Sequence, residues 1–266
     1  MKLGISTYTY GWAFEAGANE YDLIAHAGSF GVSLVQVGDN LPLHLFSREQ
    51  LFAFKSCLQQ KNISIEVGAR GLTEQRLLLY IGICKAIGAG LLRFVTDDGD
   101  YTPSAGDITK IIRKHLVFLQ ENDIVLAIEN HDRLTAQELA GIIEAVDSPH
   151  AGICLDSVNS MGAGEHIGMV TNLLGPYTVN LHIKDFGIRR PEHKQGFMIE
   201  GRVAGEGRLD IPWLLQRIGS YHRCRTCILE QWVPPDKDRA ATIEKERLWA
   251  QKSIDYLKKV LPALHS

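Results

Sequence analysis

The amino-acid sequence predicts a (β/α)8 barrel (a TIM barrel) with its functional site at the C-terminal ends of the strands. Three observations predict it. Short apolar runs recur at the spacing of one βα unit, roughly 30 residues. Amphipathic helical patterns lie between them. The chain of 266 residues is close to the typical barrel length of about 250. A doubly wound open sheet is the rival, but it would show a Gly-rich turn after an early strand, and none is present.

The expected strands are KLGISTY (2–8), SLVQVGD (33–39), ISIEVGA (63–69), LLRFVTD (91–97), IVLAIEN (124–130), AGICLDS (151–157), TVNLHIK (178–184) and TCILEQW (226–232). Among the helices, SREQLFAFKSCLQQK carries Ser47 as N-cap and Gln50 as its capping-box partner, and TAQELAGIIEAV repeats the device with Thr135 and Glu138. Asp210 before IPWLL is expected to cap a helix with Pro at its second residue. No linker or shift in composition divides the chain, so residues 1–266 are expected to form one domain.

A composition of 45% hydrophobic and 22% charged residues suits a soluble globular protein rather than a disordered or membrane one. The formal charge of −3 argues against nucleic acid and anionic membranes as partners. MKLGISTYTYGW enters a strand pattern at once and does not look like a secretory signal, so a cytoplasmic location is expected. Five cysteines are an odd count for a disulfide framework. The CxxC of Cys224 and Cys227 has no second pair to complete a zinc site, so small buried residues are expected there.

The stretch VNLHIKD (179–185) is unusual for a strand buried on both faces, because Asn180, His182 and Lys184 alternate with Val179, Leu181 and Ile183. In a barrel the apolar set would face the helices and the polar set the axis, approaching the C-terminal mouth. Glu129, Asp156, His182 and Glu230 stand in equivalent positions at the ends of four consecutive strands. Any one of them could be a cap, an ion-pair partner or a hydrogen-bonded core residue. Together they would repel one another unless positive charge sat among them. Lys184 and Arg133 could supply part of that charge. A divalent ion would supply more, and three carboxylates with one imidazole suit Mn²⁺, Mg²⁺, Co²⁺ or Zn²⁺.

The order IEN…CLD…LHIKD…GEGRLD…LEQW resembles the xylose-isomerase-like TIM-barrel superfamily, in its sugar isomerase/epimerase branch of tagatose 3-epimerase-like and inosose isomerase-like enzymes. The resemblance covers essentially the whole chain. It implies that Glu129, Asp156, His182 and Glu230 bind one divalent ion, most often Mn²⁺, and that Glu129 and Glu230 flank the substrate and move protons. It implies that Lys184 reaches the substrate and places Glu206 in a GEG loop leading to the last helical unit. Gln36 and Glu66 are expected at the second and third strand ends, with Glu66 a candidate substrate contact.

The segment 186–210 is long and basic, with Arg189, Arg190, Arg202 and Arg208 among its cations. It is either a solvated charged loop or a recognition site for an anionic group, with Arg202 and Arg208 as contacts. Tyr8, Tyr10, Trp12 and Phe14 are expected as core, as a sugar-stacking wall with Trp12 in contact, or as a subunit contact in a homo-oligomer. His131, two residues past Glu129, is expected to touch the substrate.

The expected function is a metal-dependent isomerase or epimerase of carbohydrate metabolism, acting on a small keto-sugar through an ene-diolate. The alternative is a lyase with the same site, either a decarboxylase of a 3-oxo sugar acid or an enzyme of β-elimination. An AP-endonuclease-like repair enzyme is disfavoured, because a multi-zinc site would want histidines where Gln36 and Glu66 stand.

Overall fold

The computed structural model describes residues 1–261, and the last five residues of the expected domain, 262–266, lie outside the described residues. Eight parallel strands close into a barrel: β1 (Lys2–Ser6), β2 (Leu34–Val37), β3 (Ser64–Arg70), β4 (Leu91–Val95), β5 (Val125–Glu129), β6 (Ala151–Asp156), β7 (Thr178–Ile183) and, after a hairpin, β10 (Thr226–Leu229), which pairs back to β1. The hairpin is the antiparallel pair β8 (Asp185–Arg189) and β9 (Met198–Arg202). Around the barrel lie the short α1 (Gly11–Glu15) and then α2 (Glu20–Phe30), α3 (Arg48–Gln60), α4 (Glu74–Ile87), α5 (Ala105–Glu121), α6 (Ala136–Val146), α7 (Ile167–Leu174), α8 (Ile211–Gly219) and α9 (Arg239–Val260). Both capping boxes form, at Ser47–Gln50 and Thr135–Glu138, and Asp210 accepts from the Trp213 amide. Among the described residues no helix is long and apolar enough to cross a membrane. All five cysteines are free thiols.

Alternate strand residues such as Ile5, Val35, Val67, Phe94, Ile128 and Leu181 pack with the helices in the main apolar cluster. Each such side chain contributes roughly 1.5–3 kcal/mol when fully buried. On β7, Leu181 and Ile183 join this cluster as expected, but Val179 does not. It packs with Leu91, Ala127 and Cys154 instead, because the β6–β7 register slips by one residue beside it. A bulge breaks strict alternation and re-aims the extra side chain.

The barrel interior holds a lower polar layer. Gln36 Nε2 donates to Glu66 Oε2 at 3.0 Å and to Asn180 Oδ1 at 3.2 Å, while Asn180 Nδ2 donates to Glu66 Oε2 at 3.1 Å and to Thr226 Oγ1 at 2.7 Å. The position expected for Glu66 is thereby corrected. β3 runs four residues further, to Arg70, so Glu66 lies well below the strand end. Glu66 also lines a cavity of about 830 Å³, which opens among the first residues of the strands (Lys2, Leu34, Ser64, Leu91, Val125 and Thr226) at the end opposite the mouth.

Burial raises the Glu66 carboxyl above its ordinary value. The folded state therefore holds this proton more tightly than the unfolded chain, and stability falls as pH rises from about 4.5 through the raised value. Glu66→Gln should remove that loss. Its melting temperature should match wild type near pH 4 and exceed it by a growing margin toward pH 8, measured by calorimetry.

Candidate metal centre

The upper layer of the interior is where the functional side chains meet. Glu129 ends β5, Asp156 ends β6, His182 lies one residue before the end of β7 and Glu230 follows β10, and all four are buried. His182 Nδ1 lies 3.9 Å from Glu129 Oε2, 3.9 Å from Asp156 Oδ2 and 3.5 Å from Glu230 Oε2.

Each carboxylate is tethered through its other oxygen. Glu129 Oε1 accepts from Asn159 Nδ2 at 2.8 Å. Asp156 Oδ1 accepts from the amides of Val158 and Asn159, both at 2.8 Å. Glu230 Oε1 accepts from Ser6 Oγ at 3.1 Å. Asn130 then fixes the Asp156 backbone, its Oδ1 accepting from the Asp156 amide at 2.6 Å and its Nδ2 donating to the Asp156 carbonyl at 2.9 Å. The other carboxylate oxygens lie beside the imidazole. Glu129 Oε2 and Asp156 Oδ2 are buried and make no hydrogen bond, only ion-pair contacts, and both His182 ring nitrogens are buried with no hydrogen-bond partner. Buried imidazole nitrogens are rarely left unpaired in a protein interior. Asp156, His182 and Glu230 can reach one ion together, and so can Glu129, Cys154 and His182. Three oxygens and a nitrogen, all buried and directed inward, fit a divalent cation.

Two protein cations share the layer. Lys184 Nζ sits 2.8 Å from Asp156 Oδ2 and 3.0 Å from Glu230 Oε2. Arg93, on β4, places Nε 2.8 Å from Glu129 Oε2 and Nη1 3.2 Å from Asp39 Oδ1. Arg133 does not take the part expected of it. Its guanidinium is bound to Asp97 at 2.6 and 2.7 Å and to the Pro103 carbonyl, because the β5–α6 loop carries it toward β4.

The titrations follow from these contacts. For Glu230, burial alone would raise the carboxyl, but His182, Lys184 and Arg93 hold it well below the usual range. Burial opposes the charged forms of His182 and Lys184, yet the surrounding carboxylates raise both. Burial pushes the Cys154 thiol well above its ordinary value, and its Sγ already donates to Asn180 Oδ1. Cys154 therefore stays a thiol beneath the centre.

The remaining candidates divide by location. His131 lies at the mouth, part-exposed and in contact with Asp132. Burial lowers it, Glu129 opposes that, and Arg70 and Lys184 lower it further. Trp12 bridges the first and last loops, its indole donating to the Val233 carbonyl at 2.9 Å and its amide to Glu246 at 3.0 Å. Tyr10 and Phe14 are core, whereas the Tyr8 hydroxyl donates to Asp39 Oδ2 at 3.0 Å. Arg202 is engaged by Glu200 at 3.4 Å and by the Gly201 carbonyl at 2.8 Å, while Arg208 and Glu206 are exposed. The loop that bears these two is held by Asp185, which accepts from the amides of Gly205, Gly207 and Leu209 at 2.8–3.1 Å. A Cβ on Gly207 would come within 2.0 Å of that carboxylate, so this glycine permits the close approach.

Arg93, Asp39, Ser6, Asn130, Asn159 and Asp185 were not singled out from sequence. Arg93 had a usable signal, since a cation inside LLRFV poses the same question as the polar face of VNLHIKD.

A (β/α)8 barrel whose strand ends gather such donors offers a group that could hold a metal ion. Residues 27–260 match the xylose isomerase-like TIM barrel family, and the chain belongs to it. It is 29% identical over 261 residues to the 3-oxo-isoapionate decarboxylase of Pectobacterium atrosepticum, covering 97% of this chain and 95% of that one. The D-psicose 3-epimerase of Clostridium cellulolyticum H10, solved with D-tagatose, superposes with a TM-score of 0.74 at 18% identity, over 98% of this chain and 99% of that one. A xylose isomerase-like barrel from Mycobacterium smegmatis, solved with magnesium, gives 0.73 at 13%, over 100% and 97%. At these identities the two structures establish the fold.

His182→Ala and Asp156→Ala should each weaken divalent-ion binding more than tenfold in calorimetric titration, since each removes an inward donor. Cys154→Ser should change it less than about twofold, because the thiol is spent on Asn180.

Proposed function

We propose that this chain is a divalent-metal-dependent lyase that decarboxylates a small 3-oxo sugar acid. The observation that carries the reading is how the two glutamates are paired. Glu129 has Oε1 bound by Asn159 and Oε2 against Arg93, and Glu230 has Oε1 bound by Ser6 and Oε2 against Lys184. Neither carboxylate keeps an oxygen free of a partner for taking a proton. Isomerisation and epimerisation begin by removing a carbon-bound proton, which asks for a base. Decarboxylation does not.

Charge supports the same reading. Asp39, Glu129, Asp156 and Glu230 face Lys184, Arg93 and Arg70, which leaves one negative charge. A divalent ion, with His182 neutral as its ligand, turns that into one positive charge, the complement of a monoanionic substrate. Identity to the Pectobacterium decarboxylase along nearly both whole chains supports it as well.

Glu129, Asp156, His182 and Glu230 would hold the ion, and Mn²⁺ suits this oxygen-rich set. Bound there, it would act as a Lewis acid toward the substrate carbonyl. The carbon–carboxylate bond then breaks heterolytically, its electron pair passes into the enolate, and CO₂ departs. Lys184, kept charged by its neighbours, places an ammonium where oxyanion charge develops. A proton returns to carbon from the mouth, where His131 is part-exposed.

A second reading, isomerase or epimerase, is favoured by one specific observation: Glu129 and Glu230 lie on either side of His182, as two-sided proton transfer would require. Turnover in D₂O separates the two. With 3-oxo sugar acids the expected outcome is CO₂ release and deuterium only in the product, at the carbon that lost CO₂. Deuterium washing into recovered substrate without CO₂ loss would establish the second reading. Lys184→Met should keep its metal and lose roughly 10²–10³ in kcat, the usual loss for one electrostatic donor.

A further inference from the structure

We propose that Arg70 receives the carboxylate of the substrate and that Asp39 aims it, an assignment that rests on the anionic substrate proposed above. Arg70 is the last residue of β3, two steps beyond Gly68 and four beyond the inward-facing Glu66, so its side chain leaves the barrel at the mouth. That side chain is 34% exposed, and its Nε donates to Asp39 Oδ2 at 3.2 Å. Among the described residues its two terminal nitrogens make no hydrogen bond. They present the planar fork that binds carboxylates through two parallel N–H donors.

The rest of the cluster fixes the direction of that fork. Asp39 lies between two guanidinium groups, Arg70 at 3.2 Å on Oδ2 and Arg93 at 3.2 Å on Oδ1, and the Tyr8 hydroxyl completes its contacts at 3.0 Å. Burial alone would raise Asp39, but Arg93 and Arg70 keep it below the ordinary range, so it stays an anion. Two glycines make this packing possible. A Cβ on Gly38 would lie 2.7 Å from the Tyr8 ring, and one on Gly68 would meet Val37 O at 3.0 Å beside the Arg93 guanidinium. The anchored Nε edge of Arg70 is therefore held in the wall while its outer edge remains open.

Arg70 is joined to the centre through Asp39 and Arg93, whose Nε lies 2.8 Å from Glu129 Oε2. Of the other arginines at the mouth, Arg202 is occupied by Glu200 and Arg133 by Asp97, and Arg208 is exposed on the outer loop, where among the described residues no carboxylate aims its guanidinium.

The test compares a four-carbon aldonate, erythronate, with its neutral counterpart erythritol, by calorimetry on the Mn²⁺-loaded protein. Wild type should prefer erythronate by about tenfold or more, the size of a charge-assisted hydrogen bond. Arg70→Gln should abolish the preference with Mn²⁺ affinity unchanged, and Arg70→Lys should restore part of it. Asp39→Asn should weaken the preference, and the double variant with Arg70→Gln should be no worse than Arg70→Gln alone. That non-additivity is expected of a residue acting only through Arg70. Arg70→Gln with the preference intact would overturn the proposal and return the carboxylate to Arg202 or Arg208, leaving the anionic substrate standing. Additive losses in the double variant would overturn the role of Asp39. A wild type without preference would sink both the assignment and the anionic substrate.

Discussion

Three carboxylates buried in one layer of a barrel must be kept apart or neutralised, and most of the site follows from how this is done. Two like charges about 4 Å apart cost on the order of 4 kcal/mol even at an effective dielectric of 20. Arg93 reaches Glu129, and Lys184 bridges Asp156 and Glu230. Asn159, Ser6 and two backbone amides hold the outward oxygens. What is left is a cluster of inward donors already paid for in desolvation and needing one more positive charge. An ion would bind well to such a centre because its candidate ligands are already positioned.

The lower layer solves a different problem with similar residues. Glu66 meets amide donors from Gln36 and Asn180 rather than cations, and burial shifts it toward the neutral form. A neutral acid needs no counter-ion. The same residue type therefore serves as packing at one depth and as ligand two residues higher, and the distinction lies in whether a guanidinium or an amide stands opposite. The cavity opens below this layer, away from the candidate ligands, so the presence of a cavity does not locate the site.

The barrel and the four convergent strand ends were legible in the sequence because both are written in local pattern. Period-two alternation marks inward positions, and a polar residue closing an apolar run marks a strand end. Depth was not legible. Glu66 was expected at the third strand end, yet β3 runs four residues past it. Val179 was assigned outward because a bulge leaves no mark in the sequence. Arg133 was offered as counter-charge by proximity in the chain, whereas Arg93 lies 36 residues from Glu129 and reaches it only because β4 and β5 are paired. Partners across strands follow from register, and register is a property of the closed barrel.

The donor set by itself does not choose the reaction. Three carboxylates and a histidine around one ion can stabilise an enolate however that enolate arises, by loss of a proton or by loss of CO₂. In the proposed reading the choice is made by the surrounding charges. A glutamate free of cations would offer an open oxygen to a carbon-bound proton. Glu129 stands against Arg93, and Glu230 against Lys184. The same cations, with a divalent ion added, would leave the site with a positive charge, which would attract a carboxylate and then favour the enolate left behind. In the proposed reading, occupied glutamates and an anionic substrate are thus two consequences of one arrangement, the neutralisation of buried carboxylates by arginine and lysine.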